Sequence, residues 1–235
     1  MTQAAASPEA HVVRVERSWD ETPAFRGLAL SAPPAVLEVH RAPGQYLRLG
    51  TSAELEGTFA LSRAPGSGTF ELLVKRGARF ADTLVVAAPG AELYASLPMG
   101  QGFPLADHGG RDVLLFAAGS GIAPIRSVIQ AIDRQRAAFG AVHLFYGQRH
   151  PEDFAYRGEH EAWGARGIAV TLCASQPPTE GWPGARGRVQ DALITQPPPL
   201  DNAVVYLAGM KPMLEAVTTI LVELGLPRER VFLNY

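Results

Sequence analysis

The chain has 235 residues, of which 47% are hydrophobic, enough for one large or two small domains with a substantial core. Twenty-one basic against 23 acidic side chains leave a formal net charge of −2, which argues against a nucleic-acid partner, whose binders carry a strongly basic face. No stretch approaches the ~20 apolar residues of a membrane span, and the lone Cys173 excludes an internal disulfide or an iron–sulfur cluster.

The start of the chain carries neither the basic nor the apolar region of a secretion signal. The cytosol is the expected compartment. Cys173 sits in an apolar run and is expected to be a buried structural thiol.

Up to about residue 106 the chain reads as short strands over 11–19, 25–31, 35–41, 46–51, 58–62, 70–75, 83–87 and 92–97. The breakers Pro33-Pro34, Pro43-Gly44, Pro65-Gly66 and Pro89-Gly90 fall between them. Many short strands at this spacing predict a closed or nearly closed antiparallel barrel.

After Gly109-Gly110 the pattern changes. Apolar strands over 113–118, 142–146, 168–173 and 204–208 alternate with helical stretches, and 230–233 closes the chain. Ile125, Val128, Ile129 and Ile132 mark one face of a helix ending near Gly140, and Met213, Ala216, Val217, Ile220 and Leu224 repeat the pattern. Such alternation predicts a parallel sheet with helices on both faces.

The most informative run is residues 113–125. An apolar strand enters Gly119-Ser120-Gly121, and Ile122-Ala123-Pro124 opens a helix. Glycines let the backbone approach a dinucleotide pyrophosphate, and the N–H groups of the first helical turn point at it. Pro124 is expected at the first helical position, where its missing N–H has no intrahelical partner. The histidines His40, His108, His143, His150 and His160 show no metal-type spacing and are expected on the surface or in loops. The Gly-X-Ser-X-Gly elbow of hydrolases is absent around Ser120.

Taken in order, several runs resemble the ferredoxin–NADP reductase superfamily over nearly the whole chain. These are Arg41-Ala-Pro-Gly-Gln-Tyr46, Phe70-Glu-Leu-Leu-Val-Lys75, Leu97-Pro-Met-Gly-Gln-Gly-Phe-Pro104, the Gly-Ser-Gly-Ile-Ala-Pro loop, Tyr146-Gly-Gln-Arg149 and Gly209-Met-Lys-Pro-Met213. The resemblance implies a six-stranded antiparallel Greek-key β-barrel over residues 1–108 that holds flavin, here FAD. It also implies a five-stranded parallel sheet with helices on both faces over 109–235 that binds NADH or NADPH.

The implied activity is transfer of electrons between the nicotinamide nucleotide and a separate acceptor, for which a protein is a candidate. For the nucleotide, the resemblance points to Gly119–Pro124, to Tyr146, Gly147 and Arg149 beside the adenosine ribose, to Ser175 and Gln176, and to Gly209, Met210 and Met213. For the flavin it points to Phe59, Ala60, Leu61 and Ser62, to Leu73, Val74 and Lys75 along the ring, and to the terminal ring of Tyr235. No catalytic side chain is assigned, because the cofactors carry the redox chemistry.

The chain departs from the family where flavin is held. Members carry Arg-X-Tyr-Ser/Thr; the equivalent residues here are Gly57, Thr58, Phe59 and Ala60. Downstream, Gly77 is followed by Ala78, Arg79, Phe80 and Ala81 without the usual hydroxyl. Each lost charge-assisted phosphate contact removes roughly 1.5–3 kcal/mol. Ser62, Arg63, Arg76 and Arg79 are the residues placed to compensate. Ala208 replaces a cysteine that faces the nicotinamide in many members, and Gln176 stands where NADP-selective members often have a basic residue. The choice between NADH and NADPH stays open.

Three readings follow. The first is an NAD(P)H-linked flavin oxidoreductase. The second is a non-redox nucleotide-binding module that has lost its flavin. The third is an electron-transfer subunit of a larger complex, similar to the reductase subunit of dihydroorotate dehydrogenase, which the missing C-terminal cysteine cluster disfavours.

Overall fold

The computed structural model describes residues 9–77 and 79–234. The first sheet is built from β1 (His11–Thr22), β2 (Phe25–Ser31), β3 (Tyr46–Gly50), β4 (Gly57–Ala60), β5 (Phe70–Lys75) and β6 (Glu92–Ala95), in the spatial order β4-β3-β6-β1-β2-β5, every pairing antiparallel. A bridge between Leu61 and Leu72 joins the two ends, and the Ser62 N–H donates to the Glu71 carbonyl at 2.8 Å. The sheet is thereby closed into a barrel, which removes its free edges.

Alternation along the strands sends Val13, Val15, Leu28, Leu30, Leu47, Leu49, Phe70, Leu72 and Val74 into the barrel core. On β5 the intervening residues Glu71, Leu73 and Lys75 face outward, toward the second half of the chain.

Two segments expected as strands are helices. Residues 35–41 give the one-turn α1 (Pro34–Leu37), because Pro34 presets a helical φ at its start and Val36 is buried beneath the turn. Residues 83–87 fall in and beyond α2 (Arg79–Val85). Ala81 and Leu84, three apart, pack on the barrel core, so tertiary burial overrides the strand preference of Thr83, Val85 and Val86.

The second sheet is wholly parallel. It contains β7 (Asp112–Ala118), β8 (Val142–Gln148), β9 (Ile168–Ala174), β10 (Ala185–Arg186), β11 (Ala203–Ala208) and β12 (Val231–Leu233), ordered β10-β9-β8-β7-β11-β12. Five of these are the expected strands; the two-residue β10 extends the edge.

α3 (Ile122–Asp133) and α4 (Arg157–Ala165) cover one face, where Val113, Leu115, Leu144 and Tyr206 meet Ile125, Ile129 and Trp163. α5 (Val189–Thr195) and α6 (Lys211–Glu223) cover the other, where Leu114, Phe116 and Val205 meet Leu193, Val217 and Leu221. α3 ends at Asp133, and a short 3-10 turn at Arg136–Ala138 completes the approach to Gly140. Phe25, Leu73, Phe103 and Leu105 of the first half enter the same core as α3, so the two halves share apolar packing. Among the described residues no helix is long and apolar enough to cross a membrane.

Candidate functional site

Strand order reverses about β7, with β8 on one side and β11 on the other. Ligands of open parallel sheets bind outside the carboxyl ends of the strands at such a switch point. Gly119–Gly121 forms a single 3-10 turn there and runs directly into α3. Gly119 takes φ +59°, the left-handed region open to glycine. A Cβ on Gly121 would lie 2.2 Å from the Ala208 carbonyl oxygen, so only glycine lets this turn close against β11. Pro124 is the third residue of α3 rather than the first; its nitrogen still falls among those without an intrahelical acceptor.

A cavity of about 870 Å³ opens over these strand ends. Of the residues that the resemblance assigns to the nucleotide, Gly119, Ser120, Gly121, Pro124, Gly147, Arg149, Ser175, Gln176, Gly209, Met210 and Met213 line it. Lys75, Arg149 and Arg188 bring three cations to its wall, and among the described residues no carboxylate lines it. The Arg149 Nε donates to Gln176 Oε1 at 2.9 Å.

Gln148 and Pro212, which fall inside two of the quoted runs but were not singled out, join them, as do Arg188, Val189, Gln190 and Asn234, which no motif marks. Gln148 ends β8, Arg188 and Asn234 lie just beyond β10 and β12, and Val189, Gln190 and Pro212 stand in the first turns of α5 and α6, so the switch-point rule applied to every strand end is the signal that finds most of them.

Other expected residues do not reach the cavity. Tyr146 is fully buried; its hydroxyl accepts from the Gln148 side chain at 2.7 Å and the Ala155 N–H at 3.2 Å. Ile122 and Ala123 pack in the core behind the loop, although Ala123 also touches the smaller cavity described next. Leu61 and Val74 point into the barrel. Ser62 is buried beside the Tyr156 phenol and lines neither cavity. Tyr235 lies outside the described residues.

A second cavity, about 330 Å³, is lined by Gly57–Ala60, Leu73, Lys75, Phe80, Ala81, Ser120 and Ala123. It shares Ala60, Lys75 and Ser120 with the larger one. The two cavities therefore adjoin, with Ser120 of the loop and Lys75 of β5 at their junction. The slot is open, and its apolar walls fit an isoalloxazine.

The phosphate end of a flavin is served differently from the family pattern. A Cβ at Gly57 would lie 2.6 Å from the Phe80 ring and 2.7 Å from the Phe59 ring. Those two rings, 6.1 Å apart between centroids, occupy the space an arginine would need. The Gly77 N–H donates to Asp82 Oδ1 at 2.8 Å, placing a carboxylate where a phosphate acceptor is expected. Arg76 is paired with Asp20, and Arg63 reaches Glu71 at 3.5 Å. Neither lines either of these two cavities. Ala78 and the Arg79 side chain lie outside the described residues.

His40, expected on the surface or in a loop, lies in the loop between α1 and β3 but is buried there, edge-on against Phe70, and burial pushes its pKa down to about 4. Cys173 is buried as expected, and burial, with a smaller push from Asp191, raises its pKa to about 12.

Residues 115–219 match the family model described as oxidoreductase NAD-binding domain. Ferredoxin–NADP reductase B of Sorangium cellulosum is 34% identical over 207 residues, covering 80% of this chain and 82% of that protein. The chain belongs to the ferredoxin–NADP reductase family.

This family member is also 29% identical to sulfhydrogenase 1 subunit gamma of Pyrococcus furiosus over 82% of the chain and 67% of the relative. The crystal structure of a ferredoxin NADP+ reductase from Neisseria gonorrhoeae with bound FAD and NADP superposes with a TM-score of 0.80 at 18% identity, covering 96% of this chain and 98% of that one. The chain spans 54–62% of the length of three monooxygenase reductase or electron-transfer components that it also matches.

Proposed function

We propose that the chain is an NAD(P)H-linked flavin oxidoreductase, with residues 1–108 receiving the flavin and 109–235 the nicotinamide nucleotide. One observation carries the reading. The apolar ring slot on the barrel and the cationic groove over the nucleotide loop are continuous through Ala60, Lys75 and Ser120.

Gly119, Ser120, Gly121 and the start of α3 offer backbone N–H groups to the pyrophosphate. Arg149 and Arg188 neutralise the adenosine end, while Gly209, Met210 and Met213 bound the nicotinamide end. Thr58–Ala60, Leu73 and Lys75 hold the flavin ring. A bound flavin supplies the capacity to take up hydride and release single electrons; the protein sets ring-to-ring geometry and excludes water.

The acceptor is a separate protein. Relatives named as ferredoxin reductases and as monooxygenase electron-transfer components support that choice. The lone buried Cys173 supports a cytosolic setting.

The phenyl pair beside Gly57 and the Asp82 carboxylate favour a second reading, a nucleotide-binding module without flavin. The visible spectrum of the purified protein, before and after adding FAD, separates the two. Flavin absorbance that NADH or NADPH bleaches supports the first. A colourless protein that binds nucleotide and no flavin establishes the second.

A further inference from the structure

One turn into α3, the side chain of Arg126 is only 10% exposed, and its guanidinium bridges both halves of the molecule. Its Nη1 donates to Glu71 Oε2 on β5 at 2.8 Å and to the Ser62 carbonyl at 3.2 Å. Its Nε and Nη2 form a fork on the Glu159 carboxylate of α4, at 3.0 and 2.7 Å. The same group lies 4.5 Å from the centroid of the Tyr156 ring. Tyr156 is the one non-glycine residue at positive φ among those described, and its N–H donates to Glu21 Oε1 of β1 at 2.5 Å.

Burial works against the charge on Arg126, yet Glu159, Tyr156 and Glu71 hold its pKa above the ordinary arginine value. A buried ion cluster of this kind adds little stability over apolar packing, because desolvation offsets the attraction. What it does fix is geometry, since a planar fork accepts few orientations.

The position of the cluster says which geometry. Glu71, Leu73 and Lys75 share the outward face of β5. Glu71 is tied to Arg126, Leu73 enters the core shared with α3, and Lys75 lines both cavities. Further polar contacts lace α3 to the segment leaving β4. Ser127 Oγ donates to the Arg63 carbonyl at 2.9 Å, the Ala64 N–H donates to Gln130 Oε1 at 3.1 Å, and Arg134 Nη2 donates to Ser67 Oγ at 2.9 Å. The nucleotide loop stands at the head of α3, and the ring slot flanks β4 and β5.

We propose that Arg126 is a positioning residue that clamps β5 to α3, setting the width of the groove and hence the approach of the two ring systems. This rests on the reading of the groove as the meeting place of nucleotide and flavin. A misplacement of about 1 Å remote from the reacting atoms slows a reaction by about 100-fold, so loosening the clamp acts on the transfer step rather than on nucleotide affinity.

The test uses nitroxide labels on Ser52→Cys and Thr219→Cys, both exposed positions, in the flavin-free full chain. Arg126→Met broadens the inter-label distance distribution, and Arg126→Lys, which keeps charge without the fork, broadens it less. In flavin-loaded protein Arg126→Met slows stopped-flow flavin reduction by at least about tenfold while the nucleotide Kd stays within about threefold; Arg126→Lys recovers part of the rate.

An unchanged distance distribution overturns the proposal, as does loss of nucleotide affinity in step with rate. Glu71→Gln, which removes the barrel-side charge, repeats both measurements if Arg126→Met does not fold. The label distances decide the clamp even in a protein that takes up no flavin, so failure of the redox reading and failure of this one are distinguishable.

Discussion

Gly121→Ala tests the nucleotide loop most directly. The added methyl would lie 2.2 Å from the Ala208 oxygen and 2.5 Å from its carbonyl carbon, where real contacts begin at 3.0–3.4 Å. Ala208 ends β11 and pairs with Ala117 of β7, so its carbonyl cannot withdraw without breaking the sheet. The turn must move by about 1 Å, and overpacking of this size costs about 1–3 kcal/mol. That shift takes at least one loop N–H out of line with a bound phosphate, and a charge-assisted contact is worth about 1.5–3 kcal/mol. Each 1.4 kcal/mol is tenfold in Kd, so calorimetric titration with NADH and NADPH shows binding weakened by about 10- to 100-fold.

Gly119→Ala is the control. No atom lies within 4 Å of the methyl it adds, and the change carries only the cost of φ +59°, about 1–2 kcal/mol, read as a lower urea midpoint with smaller loss of binding. Binding by Gly121→Ala within threefold of wild type refutes the reasoning.

Three further outcomes follow from the geometry. His40 has its pKa lowered from 6.5 to about 4, so the unfolded chain binds this proton first and stability falls as pH drops from 6.5 toward 4. The loss is about 2 kcal/mol by pH 5, and urea midpoints at pH 7 and 5 should differ less in His40→Gln. Buried Cys173, with its pKa raised to about 12, reacts with a thiol reagent at pH 8 only as fast as the protein opens; rapid labelling of the native state contradicts its placement. Gly57→Arg alone lowers the melting temperature, because Phe59 and Phe80 fill the space. Combined with Phe80→Ala it tightens FAD binding by at least about tenfold in a fluorescence titration.

The second half of the chain is the more legible in sequence. Its strands are near-continuous apolar runs, a pattern that buried parallel strands impose, and the turn at Gly119–Gly121 carries its own steric reason. β10 gives no sign of itself because two residues cannot show a period. Motif resemblance assigns Tyr146 to the nucleotide, yet the alternation of β8 sends it into the core opposite Phe154. In the barrel the run Thr83-Leu84-Val85-Val86, with three β-branched residues in four, obscures α2, whose buried residues among those described are Ala81 and Leu84, flanked by the partly buried Phe80 and Val85. Arg126 carries no signal. A lone arginine on an apolar helix reads as solvated, and its partners Glu71 and Glu159 lie 55 and 33 residues away.

The departures at the flavin end form one connected change. An arginine at position 57 and the ring of Phe80 are sterically exclusive, so the missing cation and the aromatic pair are two sides of a single exchange. Asp82 extends the same logic, since its carboxylate takes the Gly77 N–H that a phosphate would otherwise approach and would repel that phosphate. The groove over β7, β8 and β11 is the opposite case, with three cations and no carboxylate among its described lining residues. One half of the site thus attracts phosphate by charge and by backbone N–H groups, while the other presents flat apolar walls to a ring. Flavin retention therefore depends on ring contacts from Phe59, Ala60 and Leu73 more than on phosphate contacts.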